Sequence, residues 1–144
     1  MHLKKISFVL LSLVLSGNTY ALSFTQPITI KTQKYNLHFK LAVTNTPKAR
    51  ALGLMFVKHL KVDHGMLFTY PREQVLSFWM KNTLIPLDIL YLNSKKRIVD
   101  IQTMTPCRTD YCISYPSKEP AQYAIEINGE LAKKLGIKKG DLVN

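Results

Sequence analysis

The stretch Leu87–Leu92 (LDILYL) presents apolar side chains on both faces of an extended strand, with one carboxylate among them. Side chains alternate along a strand, so Asp88, Leu90 and Leu92 share one face and Leu87, Ile89 and Tyr91 the other. A carboxylate in that setting must find hydrogen-bond donors or carry a large desolvation cost. It closes a longer apolar run, Leu76–Leu92, interrupted by Lys81-Asn82-Thr83 and bent at Pro86. The three polar residues are expected to bond among themselves, to backbone or to Asp88, and to fix the bend. A buried carboxylate near Lys81 and Trp79, the one tryptophan of the chain, is also what a ligand site presents.

Strand patterning dominates the rest. Ile28–Lys31 reads as a short strand, and Leu37, Phe39, Leu41 and Val43 alternate with His38, Lys40, Ala42 and Thr44 as in a half-buried one. Thr46 suits a helix N-cap, Pro47 the first helical position and Gly53 the residue after the end, which predicts a two-turn helix carrying Arg50. Strands are predicted at Gly65–Tyr70, stopped by Pro71, and at Val75–Met80, Leu87–Leu92, Arg97–Met104 and Gln122–Asn128. Residues 105–120 read as a loop. Asn128 is expected to cap a second helix, Gly129–Leu135, ended by Gly136, and a last strand follows. The fold class is mainly β, a β-rich α+β arrangement: a small curled sheet or barrel with two short helices.

The first residues resemble a secretory signal peptide. Lys4 and Lys5 precede an apolar segment, Ile6–Leu15, too short for a membrane span, and Thr19 and Ala21 suit a cleavage site. Cleavage after Ala21 would leave residues 22–144 as one β-rich domain with no transmembrane segment, periplasmic or secreted and expected to be monomeric. An uncleaved anchor is the alternative, disfavoured by the short apolar run. The formal charge is +11, two units of which belong to Lys4 and Lys5. Such a chain attracts anions without a dedicated site. No specific nucleic-acid partner is expected for an exported protein, and the lysines, scattered in sequence, read as solvated surface.

Cys107 and Cys112 are expected to form a disulfide, since an exported chain meets oxidising conditions. Four residues separate them, not the two of a thioredoxin-like pair. His38, His59 and His64 lack metal-ligand spacing, so no metal is expected. There is no phosphate-binding glycine loop, no nucleophile elbow and no motif that implies a cofactor. Met55, Met66, Met80 and Met104 lie in apolar segments and read as core.

Two carboxylates carry the functional question. Glu126 sits on the predicted strand Gln122–Asn128 much as Asp88 sits on its own. If the two meet, they make a general acid and base for a hydrolase or lyase, with Arg50 or Lys81 stabilising an oxyanion. If they do not, they are polar partners within a small barrel. Arg50 is suited to clamp an anionic group or to pair with Asp88 or Glu126. The leading expectation is a binding module for a small polar ligand or envelope component, in a cleft lined by Arg50, Trp79, Lys81, Asn82, Thr83, Asp88 and Glu126.

Read in order, ARALGLM (Ala49–Met55), HGMLFTY (His64–Tyr70), FWMKNTLIPLDILYL (Phe78–Leu92), IVDIQTMTPC (Ile98–Cys107) and YPSKEPAQYAIEINGELAKKLGIKKGDLV (Tyr115–Val143) resemble an uncharacterised bacterial and archaeal family, domain of unknown function 192. Its motif positions fall on Arg50, Gly53, Met55, Gly65, Met66, Phe68, Trp79, Met80, Asn82, Thr83, Pro86, Asp88, Pro106 and Glu126, with a mild departure at Asn128-Gly129-Glu130. The resemblance implies a small, β-rich, often exported domain and brings no established activity.

Overall fold

A computed structural model describes residues 21–144. Of the expected leader, 1–21, residues 1–20 lie outside the described part. Strands β1 (Gln26–Lys31), β2 (Asn36–Thr44), β3 (His64–Gln74), β5 (Leu87–Leu92), β6 (Ile98–Met104), β8 (Ala121–Asn128) and β9 (Leu142–Val143) form one sheet in the order β6-β5-β8-β3-β2-β1-β9. Strands β4 (Ser77–Trp79) and β7 (Ser114–Pro116) form a separate two-stranded ribbon. The large sheet curls into a half-barrel, and a bridge between Arg97 and Leu142 links its two outer strands. Among the described residues no helix is long and apolar enough to cross a membrane.

The curl makes two apolar faces from one sheet. Its inner cluster draws on every strand of the sheet, with Ile30, Leu41, Leu90, Ile98, Ile127 and Val143 among its members. Helix α2 (Leu131–Leu135) adds Leu131 and Ala132 to it. The outer cluster holds Met66, Phe68, Met80, Ile89, Tyr91 and Met104, over which the partly buried Phe78 and Tyr115 of the ribbon pack. β5 is buried along its whole length because both faces are covered. Met66, Met80 and Met104 are core residues, as their apolar settings predict.

Helix α1 (Pro47–Leu52) forms where its local signals place it: Thr46 Oγ1 accepts from Ala49 N at 3.2 Å and Gly53 closes the end. Cys107 and Cys112 are disulfide-bonded. Other expectations need correction. β3 does not stop at Pro71 but runs on to Gln74, with a register shift between Thr69 and Gln74 that accommodates the proline's missing N–H. The strand expected at Val75–Met80 shrinks to Ser77–Trp79. Its partner, Ser114–Pro116, lies inside the segment read as loop. Asn128 does not cap α2; its Nδ2 donates to the carbonyls of Leu60 and Lys61. The lysines are not all scattered in space, for Lys34, Lys133, Lys134 and Lys138 line one shallow depression.

Candidate functional site

The strand register separates the two carboxylates. Asp88 of β5 pairs with Ile127 of β8, whereas Glu126 pairs with Ile89. Directly opposed residues share a face, so an offset of one puts Asp88 and Glu126 on opposite sides of the sheet. The acid–base pair is therefore excluded by geometry.

Asp88 belongs to the inner face and is 1 % exposed. Its Oδ1 accepts from Thr103 Oγ1 at 2.7 Å and from Glu130 N at 2.9 Å, and its Oδ2 accepts from Ala132 N at 2.8 Å. The expected ties to Lys81-Asn82-Thr83 or to Arg50 do not form. Those donors lie on the outer side, while the start of α2 offers backbone N–H groups on the inner one. Asp88 thus caps the N-terminus of α2 from strand β5.

Glu126 belongs to the outer face and is 5 % exposed. No hydrogen bond from a described residue reaches its carboxyl group, yet no wholly enclosed side-chain oxygen or nitrogen lacks a partner. Among the described residues, the Glu126 carboxyl group thus has no hydrogen-bond partner. Glu126 is among the residues that line a cavity of about 30 Å³, with Arg50, Phe68, Phe78, Trp79 and Thr83. Burial pushes the Glu126 pKa up to about 8, because an ionised carboxylate loses its hydration there.

Arg50 reaches the site from α1. Its guanidinium donates to Thr69 O at 3.1 Å and stands 4.7 Å from the Tyr70 ring centroid. It pairs with neither Asp88 nor Glu126. Phe68 and Phe78 meet edge to face, 4.9 Å between centroids, and form an aromatic wall. Trp79 stands at the mouth, 49 % exposed, with Lys81 Nζ 5.3 Å from its ring centroid.

The Lys81-Asn82-Thr83 turn shapes this mouth. Thr83 is buried and its hydroxyl donates to Lys81 O. Asn82 takes a left-handed backbone, φ 55°, and its carbonyl accepts from the N–H of Phe56, itself at φ 64°. Two non-glycine residues are thus held in this sparsely populated region and joined by one backbone hydrogen bond, a local strain the surrounding structure must sustain. Of the seven predicted site residues, Arg50, Trp79, Thr83 and Glu126 line one cavity, Lys81 and Asn82 flank it, and Asp88 is elsewhere. Phe68 and Phe78 also line this cavity and are not among the predicted site residues. Phe68 stands at a family motif position, whereas no local signal marks Phe78.

Gly65 marks a close approach on the inner face, away from the cavity. A Cβ there would lie 2.4 Å from the carbonyl oxygen of Glu126 and 2.9 Å from Leu41 Cδ2, so only glycine lets β3 approach β8 this closely. Gly65→Ala is expected to cost at least about 1–3 kcal/mol through overpacking. Chemical denaturation reads this as a lower midpoint, and an unchanged midpoint would contradict the close approach.

The family model described as an uncharacterised family, domain of unknown function 192, matches residues 28–144. The chain belongs to this family. A UPF0127 protein of Thermococcus kodakarensis is 34 % identical over 109 residues, covering 74 % of this chain and 65 % of the relative. One from Thermococcus gammatolerans is 35 % identical with the same coverage, so the chain spans about two thirds of the length of these curated relatives. A crystal structure of a protein of unknown function from Novosphingobium aromaticivorans matches with a TM-score of 0.77 at 34 % identity, covering 82 % of this chain and 83 % of that one. A Sinorhizobium meliloti structure, provisionally described as a transcription regulator, matches with a TM-score of 0.70 at 34 % identity, covering 82 % and 91 %. The β half-barrel is thus shared with these solved structures, and the family is one of unknown function.

Proposed function

We propose that this chain is an exported binding domain that receives a small polar group, free or carried on an envelope component, in the Glu126 cavity. One observation carries the reading: a buried carboxyl group with no partner among the described residues belongs to the lining of a cavity that Arg50 also lines. A fold gains nothing from a desolvated acid that bonds to nothing, and such a group at a concave, aromatic-lined site is the usual mark of a ligand position. Asp88 takes no part, so the hydrolase or lyase reading falls with the pair on which it rested. A nucleic-acid reading would draw on the basic charge and on the description of the S. meliloti neighbour. It is not adopted, because the described helices have only six and five residues, too short to serve as a recognition helix.

Trp79 reports on the site directly, being the sole tryptophan and at the cavity mouth. Titration with short carboxylates, amines, sugars, inorganic phosphate and fractionated envelope extract is expected to shift its emission for at least one class. Glu126→Leu, which keeps the volume and removes the polar group, is expected to abolish that shift while the protein stays folded. A silent Trp79 across all classes, or an undiminished response in the variant, would overturn the reading.

A further inference from the structure

We propose that the depression between the β1–β2 turn and the end of α2 binds a phosphate group carrying more than one negative charge, a phosphomonoester or a diphosphate. It shares no lining residue with the Glu126 cavity, and the proposal stands apart from that site. Lys34 enters from the β1–β2 turn, Lys133 and Lys134 from α2, and Lys138 from the turn before β9. Segments distant in sequence thus bring four lysines to one concavity. None of the four forms an ion pair with a described residue. Asp141, the one acid in the lining, accepts at Oδ2 from the backbone N–H of Lys138 at 2.8 Å. Glu119 pairs instead with Lys139, outside the lining. Four lysines against one aspartate leave an excess of three positive charges. Like charges gathered in this way repel one another, and an anion with several charges relieves the repulsion.

The helix dipole accounts for Lys133 and Lys134, which sit in the last turn of α2. It does not account for Lys34 and Lys138, which come from other segments. The backbones that carry these lysines are held in place. Thr32 Oγ1 accepts from Lys34 N and Tyr35 N and donates to Tyr35 O, which fixes the β1–β2 turn. Gly136 N donates to Lys133 O and Ile137 N to Ala132 O, which closes α2. Charges fixed before binding cost less to order on binding. The lining holds no arginine, hence no planar fork to match a carboxylate, whereas lysine ammonium groups act as point charges and suit phosphate. The depression measures about 250 Å³, several times the roughly 30 Å³ that a water occupies in the liquid. It therefore admits a phosphate group with part of its carrier, for which Gln33 and the exposed Tyr35 supply an uncharged surface.

The test is calorimetric titration of the protein with pyrophosphate, glycerol phosphate and citrate at low, fixed ionic strength, beside sedimentation with phosphatidylcholine vesicles containing phosphatidic acid. Binding of pyrophosphate or glycerol phosphate marks a soluble phosphate compound as the source, and binding of the vesicles alone marks a lipid headgroup. Lys34→Gln combined with Lys138→Gln is expected to weaken binding of the active probe about tenfold or more, in a protein that melts like the parent. Lys58→Gln combined with Lys95→Gln removes the same charge at exposed lysines outside the depression. It is expected to bind within about threefold of the parent, since charges beyond the screening length contribute little. Equal losses in the two variants would show that net charge attracts the anion. Citrate binding as tight as that of pyrophosphate would remove the preference for phosphate, and failure of every phosphate probe would remove the site. Each of these three results overturns the proposal and leaves the reading of the Glu126 cavity untouched.

Discussion

Asp88→Ala is expected to lower the melting temperature by roughly 10–20 °C, at about 4 °C per kcal/mol for a domain of this size. Helix α2 has five residues, too few to persist without outside support. It also has no cap of its own: Glu130 at the N-cap position takes φ 63° and makes no side-chain capping bond. Asp88 substitutes for that cap, its two oxygens accepting from Glu130 N, Ala132 N and Thr103 Oγ1. Removing it strands these donors in and around the inner core, each at about 1–3 kcal/mol. The loss spreads further because Leu131 and Ala132 fill the inner cluster through that helix. Asp88→Asn keeps one accepting oxygen but turns an amide against a donor, so roughly half the loss is expected. Thermal melts measure the drop, and hydrogen exchange at the Ala132 amide locates it. A variant that melts within about 3 °C of the parent, with that amide still protected, would show that Asp88 does not hold α2.

How far the sequence reveals this depends on the range of each signal. Helix α1 is legible because Thr46, Pro47 and Gly53 act within one segment. The Asp88 cap is not, because its donors are backbone N–H groups that every residue but proline carries, here 42 and 44 residues away. Asn128 has the right chemistry for a cap and the right place in sequence, yet its side chain is engaged with Leu60 and Lys61. The ribbon of β4 and β7 escapes for a related reason: two three-residue strands have no periodicity to display, and only their pairing defines them. The relation of Asp88 to Glu126 hangs on a single step of register between β5 and β8, and a shift of one residue would reverse it. Residue type thus marks both carboxylates as unusual. Which is capped and which is left open is decided by strand pairing across the sheet.

That open carboxylate makes stability depend on pH in a direction opposite to the usual one for an acid. The Glu126 pKa rises from 4.5 to about 8 on folding. Between those values the folded protein holds a proton that the unfolded chain has released, so stability falls as pH rises. This contribution is fully present below the unfolded value and is lost by the time pH passes the folded one. The slope is on the order of 1 kcal/mol per pH unit, several kcal/mol in all, for a domain whose whole stability is about 5–15 kcal/mol. The parent is therefore expected to unfold at steadily lower denaturant from about pH 5 to pH 8. Glu126→Gln, uncharged throughout, should lose this component of the slope and be the more stable protein at pH 8. Equilibrium unfolding of the two proteins across this range measures the difference. Parallel curves would mean that Glu126 ionises in the folded state much as it does in the unfolded chain, and that a protein group or a bound counter-charge meets it in the cavity.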